Sequence, residues 1–124
     1  NFDKSISDLK MELPKTYNSP TMSPECSDDK KYPIVESISK IIEEKFKNRA
    51  DIGGQKIISI LKVNGIRFTL EDGSWGLIRA SSNTPNLVVV CESQTSEDVL
   101  KIIFQFIDKI LKEFEDIGAY DQSI

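Results

Sequence analysis

Ser74-Trp75-Gly76-Leu77-Ile78-Arg79-Ala80-Ser81-Ser82-Asn83-Thr84-Pro85-Asn86-Leu87-Val88-Val89-Val90 contains an apolar run ending in an arginine, four small hydrogen-bonding residues, a proline, and a second run rich in β-branched residues. That order is strand, loop, strand. A tight hairpin would be satisfied by Asn-Gly or Asp-Gly, which supply positive φ at low cost. Between Arg79 and Leu87 there is no glycine. Ser81, Ser82, Asn83 and Thr84 instead offer three hydroxyls, one amide and successive backbone N–H groups, and Arg79 adds a planar fork that matches two oxygens of a phosphate or carboxylate. Two readings stand side by side on the residues alone. In one the loop is an anion cradle; in the other it is a solvated turn with Arg79 closing a strand end.

Upstream, Ile58 and Ile60 alternate with Ser59, and Ile66, Phe68 and Leu70 alternate with Arg67 and Thr69. This is the two-residue period of strands with one buried face. Asn64-Gly65 and Glu71-Asp72-Gly73-Ser74 supply tight turns between them. With the loop after Arg79, four strands form an antiparallel meander. Trp75, Leu77 and Arg79 share one parity, so the arginine should emerge where its strand leaves the core. Leu87, Val89 and Cys91 alternate with Val88 and Val90, and both sets are apolar, which predicts cover on both faces.

Downstream, Thr95-Ser96-Glu97-Asp98 resembles a capping box. Val99, Ile103, Phe106, Ile107, Ile110 and Phe114 then make an apolar stripe, predicting a helix over 99–114 that runs on toward Gly118. On the other flank, Ser27-Asp28-Asp29 offers capping oxygens, and Pro33 suits a first helical turn. Ile34, Val35, Ile38, Ile41, Ile42 and Phe46 predict a helix over 32–48. Pro14, Pro20 and Pro24 suit a hinge and an edge strand, because proline cannot donate to a central ladder. Phe2, Ile6, Leu9 and Leu13 predict a short amphipathic helix stopped by Pro14. The chain begins without an initiator methionine in what reads as mid-fold, so the expectation is a piece of a longer polypeptide. Residues 1–15 are then a linker helix and hinge from a preceding domain, 16–118 the domain, and 119–124 a frayed tail.

The totals narrow the classes. With 124 residues one domain with a single core is expected. Sixteen basic against twenty acidic residues give a net charge of −4, which argues against a nucleic-acid backbone as the main partner. No apolar run approaches the ~20 residues needed to span a bilayer, so no membrane partner and a cytoplasmic location are expected. Histidine is absent and Cys26 and Cys91 are the only cysteines, so a zinc cluster, a Cys–His pair or a Ser–His triad cannot be assembled from this chain. The cysteines read as buried free thiols, with a disulfide as the alternative. Asp28-Asp29 and Glu43-Glu44 read as cap and solvated-face residues, not metal ligands.

Arg79-Ala80-Ser81-Ser82-Asn83-Thr84-Pro85, led by Trp75-x-Leu77-x-Arg79 and followed by Leu87-Val88-Val89-Val90-Cys91-Glu92-Ser93, resembles the phosphate-binding loop in the C-terminal (fourth) domain of the α-D-phosphohexomutases. The style is that of phosphomannomutase/phosphoglucomutase enzymes, whose loop reads Arg-x-Ser-Asn-Thr-x-Pro; sugar-amine mutases usually carry Gly in place of Asn. Arg79 and Ser81 carry over directly. Ser82 fills one extra place, so Ser82, Asn83 and Thr84 carry over as members of the loop. The resemblance, over about 13–112, implies an α+β, TBP-like fold: a mostly antiparallel four- to five-stranded sheet with two main helices on one face. It implies an isomerase that moves a phosphoryl group reversibly between the 1- and 6-positions of a hexose phosphate through a phosphoserine and a bisphosphorylated sugar. Mannose or glucose 1- and 6-phosphates, the bisphosphate intermediate and other domains of the same polypeptide are the implied partners. Magnesium and the catalytic serine belong to other domains of such enzymes. This stretch would carry no catalytic residue and no metal, and Arg79, Ser81, Ser82, Asn83 and Thr84 would hold the phosphate that is not reacting. Alone it would be inactive.

Two other classes fit the residues. One is a sheet-surface binder, such as an RNA-binding α/β sandwich, with Phe68 and Trp75 stacking bases. The other is an interaction module using the apolar stripe of the 99–114 helix.

Overall fold

The computed structural model describes residues 16–62, 65–118 and 120. The expected helix over 1–13, the hinge beside Pro14 and the turn residue Asn64 lie outside the described residues. In chain order the elements are β1 (Tyr17–Asn18), α1 (Asp28–Lys47), β2 (Ile57–Leu61), β3 (Ile66–Leu70), β4 (Trp75–Ala80), β5 (Leu87–Ser93) and α2 (Glu97–Leu111). The strands form one antiparallel sheet in the order β1-β5-β4-β3-β2. The architecture is α+β, as expected.

Register sorts the side chains. Phe68 faces Gly76, which faces Cys91, and Ile66 faces Ile78, which faces Val89. These rows are buried under α1, through Ile34, Val35, Ile38 and Ile42, and under α2, through Leu100, Ile103, Ile107 and Ile110. Each large apolar side chain so buried is worth roughly 1.5–3 kcal/mol. Gly76 makes the close packing possible, because a Cβ there would stand 2.7 Å from the Phe68 ring and 3.0 Å from Ile107 Cδ1. Phe106 meets Phe68 edge to face at 5.3 Å.

Both cysteines are free and buried. Burial pushes the Cys91 thiol up to about 12 and also raises that of Cys26, with Asp116 and Asp29 adding to the effect. The β1 side of the sheet is the proline-bearing edge. The N–H groups of Ser19, Met22 and Cys26 donate to the Cys91, Val89 and Pro85 carbonyls, so Pro20 and Pro24 fall between donating positions.

Several expectations are corrected. α1 starts at Asp28, not near 32, and Pro33 lies in its second turn. Ser27 is the N-cap by backbone conformation, but its side chain makes no capping bond. The ladder shifts register between Ile57 and Ser59, which turns Ile57 inward and leaves Ile58 54% exposed. A one-residue slip reverses the faces of a strand. α2 ends at Leu111, so Phe114 and Gly118 lie beyond it. Ser96 caps α2 by accepting from Val99 N–H at 3.2 Å. Tyr120, in the stretch expected to fray, donates to Asp108 Oδ1 at 2.8 Å.

Base stacking by Phe68 and Trp75 does not fit this arrangement. Phe68 is 0% exposed on the helix-covered face. Trp75 lies on the opposite face, with the Arg67 guanidinium 4.3 Å above its ring and its Nε1 donating to Glu92. The apolar stripe of α2 is spent on the sheet, so it is not a free docking face.

Candidate functional site

The loop between β4 and β5 is built from its back. The Thr84 carbonyl accepts from Asn86 N–H at 2.8 Å and from Lys31 Nζ at 2.9 Å. The Pro85 carbonyl accepts from Cys26 N–H, and the Asn86 carbonyl from Ser81 N–H, both at 2.9 Å. Asn86 Nδ2 donates to the Ser23 carbonyl at 3.0 Å. The Thr84 and Pro85 carbonyls are thus turned onto α1 and the proline edge, while that of Asn86 closes the hairpin on Ser81. Carbonyl oxygens repel an anion, so pinning them there leaves the front of the loop to its donors.

Inside the loop, Ser81 Oγ accepts long bonds from Asn83 N–H at 3.4 Å and Thr84 N–H at 3.3 Å, and it contacts Thr84 Oγ1 at 3.0 Å. The cradle of N–H groups expected from sequence is therefore closed in part on a serine hydroxyl. Bonds of this length are weak, and an incoming anion competes with a neutral oxygen. Ser82, Asn83 and Thr84 are exposed, while Arg79 and Ser81 are half-buried.

Arg79 pairs with Val88 one residue before the end of β4. Its Nη1 makes a 3.4 Å contact with the Ala80 carbonyl, which engages one of five guanidinium donors. Arg79 and Ser82 line a cavity of about 670 Å³ with Tyr32, Glu36 and Ser39 of α1 and Gly65. A second cavity of about 390 Å³ lies against Pro85 and Asn86, and Glu25, Glu115 and Asp116 surround it. Electrostatics separates the two: the first is lined by two cations, Arg79 and Lys62, and one carboxylate, Glu36, and suits an anion better than the second with its three carboxylates.

Of the five expected site residues, the structure brings Arg79 and Ser82 to one cavity. Ser81 and Thr84 join in the internal turn. The sequence reading missed Lys31, Tyr32 and Gly65. Asp28 and Lys31 have the i,i+3 spacing of a solvated helix pair, and they do pair at 2.8 Å. Nothing in that spacing signals that the lysine is only 3% exposed and meets a loop 53 residues further on. Tyr32 is 59% exposed, and in sequence it reads as a helix-start residue.

Among the described residues, no three His, Cys, Asp or Glu side chains are grouped so as to hold a metal ion. The donor set of the described residues does not fit a magnesium ion. No described helix is long and apolar enough to cross a membrane.

The family model described as phosphoglucomutase/phosphomannomutase, C-terminal domain, matches residues 25–110. A phosphopentomutase of Thermococcus kodakarensis is 30% identical over 113 residues, covering 89% of this chain and 23% of that protein. A probable phosphoglucosamine mutase of Methanosphaera stadtmanae is 32% identical over 108 residues, covering 83% of this chain and 22% of the other. A phosphomannomutase/phosphoglucomutase of Pseudomonas syringae pv. tomato is 29% identical over 110 residues, covering 89% and 21%. The chain thus spans less than a quarter of the length of these relatives.

Proposed function

The chain belongs to the phosphoglucomutase/phosphomannomutase C-terminal domain family, and from that premise we propose that residues 16–118 hold the non-reacting phosphate of a hexose phosphate during reversible 1,6-phosphoryl transfer. Mannose and glucose 1- and 6-phosphates are the proposed substrates, and the bisphosphate is the intermediate. Arg79 supplies charge and a two-point contact; Ser81, Ser82, Asn83 and Thr84 supply hydroxyl, amide and backbone donors.

The observation that carries this reading is the polarity of the loop. Its Thr84 and Pro85 carbonyls are tied back, its arginine opens with Lys62 on a cavity that holds one carboxylate, Glu36, and three carboxylates surround the cavity on the other side. Holding one end of a doubly phosphorylated sugar lets the other end meet a reactive group in fixed geometry, and such positioning is much of phosphoryl-transfer catalysis. The phosphorylated serine and the magnesium ion are assigned to other domains of a longer, cytoplasmic polypeptide. The 124-residue chain has no mutase activity of its own on this reading.

An amide-resolved NMR titration of the chain with mannose 6-phosphate or glucose 1-phosphate tests it. Shifts confined to residues 79–84 and lost in Arg79→Ala are expected. Shifts spread over the Trp75 face, or unchanged by Arg79→Ala, would overturn the assignment.

A further inference from the structure

Lys31 sits where a charge is costly. Its side chain is 3% exposed, and the Asp28 carboxylate that pairs with it at 2.8 Å is 73% exposed. Burying an ammonium carries a desolvation penalty that a single solvated partner offsets only in part. Simple attachment of this segment to the loop does not require a cation, since the bond from Cys26 N–H, two residues before α1, to the Pro85 carbonyl already makes such a link.

What the lysine touches suggests its use. Nζ donates to the Thr84 carbonyl at 2.9 Å, the same oxygen that receives Asn86 N–H at 2.8 Å. The bond orients that peptide dipole with its oxygen toward α1. It also places a positive charge against Thr84, the last of the four donor residues, in surroundings where water screens it poorly.

We propose that Lys31 is a positioning residue of the phosphate loop: its ammonium holds the Thr84 carbonyl away from the anion and adds its field to that of Arg79 from behind. The inference rests on the phosphate-binding reading above. Lys31 need not touch the phosphate. It acts through Thr84.

The test is a phosphate titration of the chain and its variants, with inorganic phosphate and mannose 6-phosphate as probes and the amides of residues 79–84 as readout. Lys31→Met is expected to weaken both probes roughly five- to tenfold, and Lys31→Arg to restore most of the affinity. Lys31→Gln, which keeps a donor for the Thr84 carbonyl but no charge, is expected to fall between them. A purely structural lysine would lower stability in all three variants without this graded order of affinity. If Lys31→Met does not fold, the Gln and Arg variants decide, and equal affinity of Lys31→Gln and the parent overturns the proposal. Binding abolished by Arg79→Ala but untouched by Lys31→Met sinks the lysine's role alone. Failure of the parent chain to bind either probe at the loop overturns both readings.

Discussion

Gly65 lies flat against Arg79: a Cβ built on the glycine would stand 2.6 Å from Arg79 Cβ and would also run into the Ile78 carbonyl oxygen. Its φ of 140° adds a conformation that L side chains rarely adopt. The start of β3 is therefore tight against the end of β4 at the arginine that opens on the cavity. Gly65→Ala is expected to destabilise the fold by about 2–4 kcal/mol, from backbone strain and overpacking together. Urea unfolding measures the loss. Because the obstruction is at Arg79, phosphate shifts at residues 79–84 should weaken in the same variant, under conditions where it remains folded.

Ser93 carries a second vulnerable point. It is fully buried, and its Oγ accepts from Thr95 N–H at 3.1 Å and Ser96 N–H at 3.2 Å while contacting Ser74 Oγ at 3.2 Å. Ser93→Ala leaves these backbone donors short of an acceptor at the start of α2. The expected cost is about 1–3 kcal/mol, read from the urea midpoint. Ser93→Cys, with a weaker acceptor, should recover little. A change below ~0.5 kcal/mol would mean that water replaces the hydroxyl.

The meander was legible because two independent signals agreed. Period-two apolar runs marked 66–70 and 75–80, and Glu71-Asp72-Gly73-Ser74 stood between them; Gly73 indeed takes a φ of 91°. Ile57 and Ile58 were not legible, since the register shift that exchanges their faces is set by pairing with β3, not by composition. Pro33 misled in a similar way. A proline suits a helix start, but α1 accommodates it in the second turn after acidic residues Asp28 and Asp29 open the helix. The position of Arg79 near the end of β4 was legible because the parity of Trp75, Leu77 and Arg79 places it where that strand leaves the core. Lys31 was not, because only the tertiary fold brings its ammonium to Thr84.

Asp72 makes the fold sensitive to acid. Partial burial opposes its charge, but hydrogen bonds from Thr95 Oγ1, from Ser74 and from the Gln55 side chain hold its carboxyl below the usual carboxylate value of 3.8. A carboxylate with a depressed folded value contributes stability that is complete above the unfolded value and is lost as pH falls through the folded one. Unfolding midpoints of the parent chain should therefore drop below pH ~4, and Asp72→Asn should lower the midpoint at pH 6 while flattening its decline toward pH 3. Parallel curves for the two chains would remove Asp72 from the account.

The strength of the phosphate contact follows from counting. Three or four charge-assisted bonds at about 1.5–3 kcal/mol each give a gross ~5–12 kcal/mol, and association costs of ~4–15 kcal/mol offset most of that. Freeing the Asn83 and Thr84 N–H groups from Ser81 Oγ reduces the balance further. The chain alone should thus bind mannose 6-phosphate with a Kd in the millimolar range or weaker. Arg79→Lys keeps the charge but replaces a planar fork by a point donor, and should weaken binding roughly three- to tenfold, in contrast to complete loss in Arg79→Ala. Titrations at two salt concentrations separate the terms, since screening acts on the charge that both cations share and much less on the fork geometry that only arginine has. Equal affinity of the Arg and Lys chains would mean that the guanidinium supplies charge alone, and that orientation of the sugar phosphate comes from Ser82 and its neighbours in the loop.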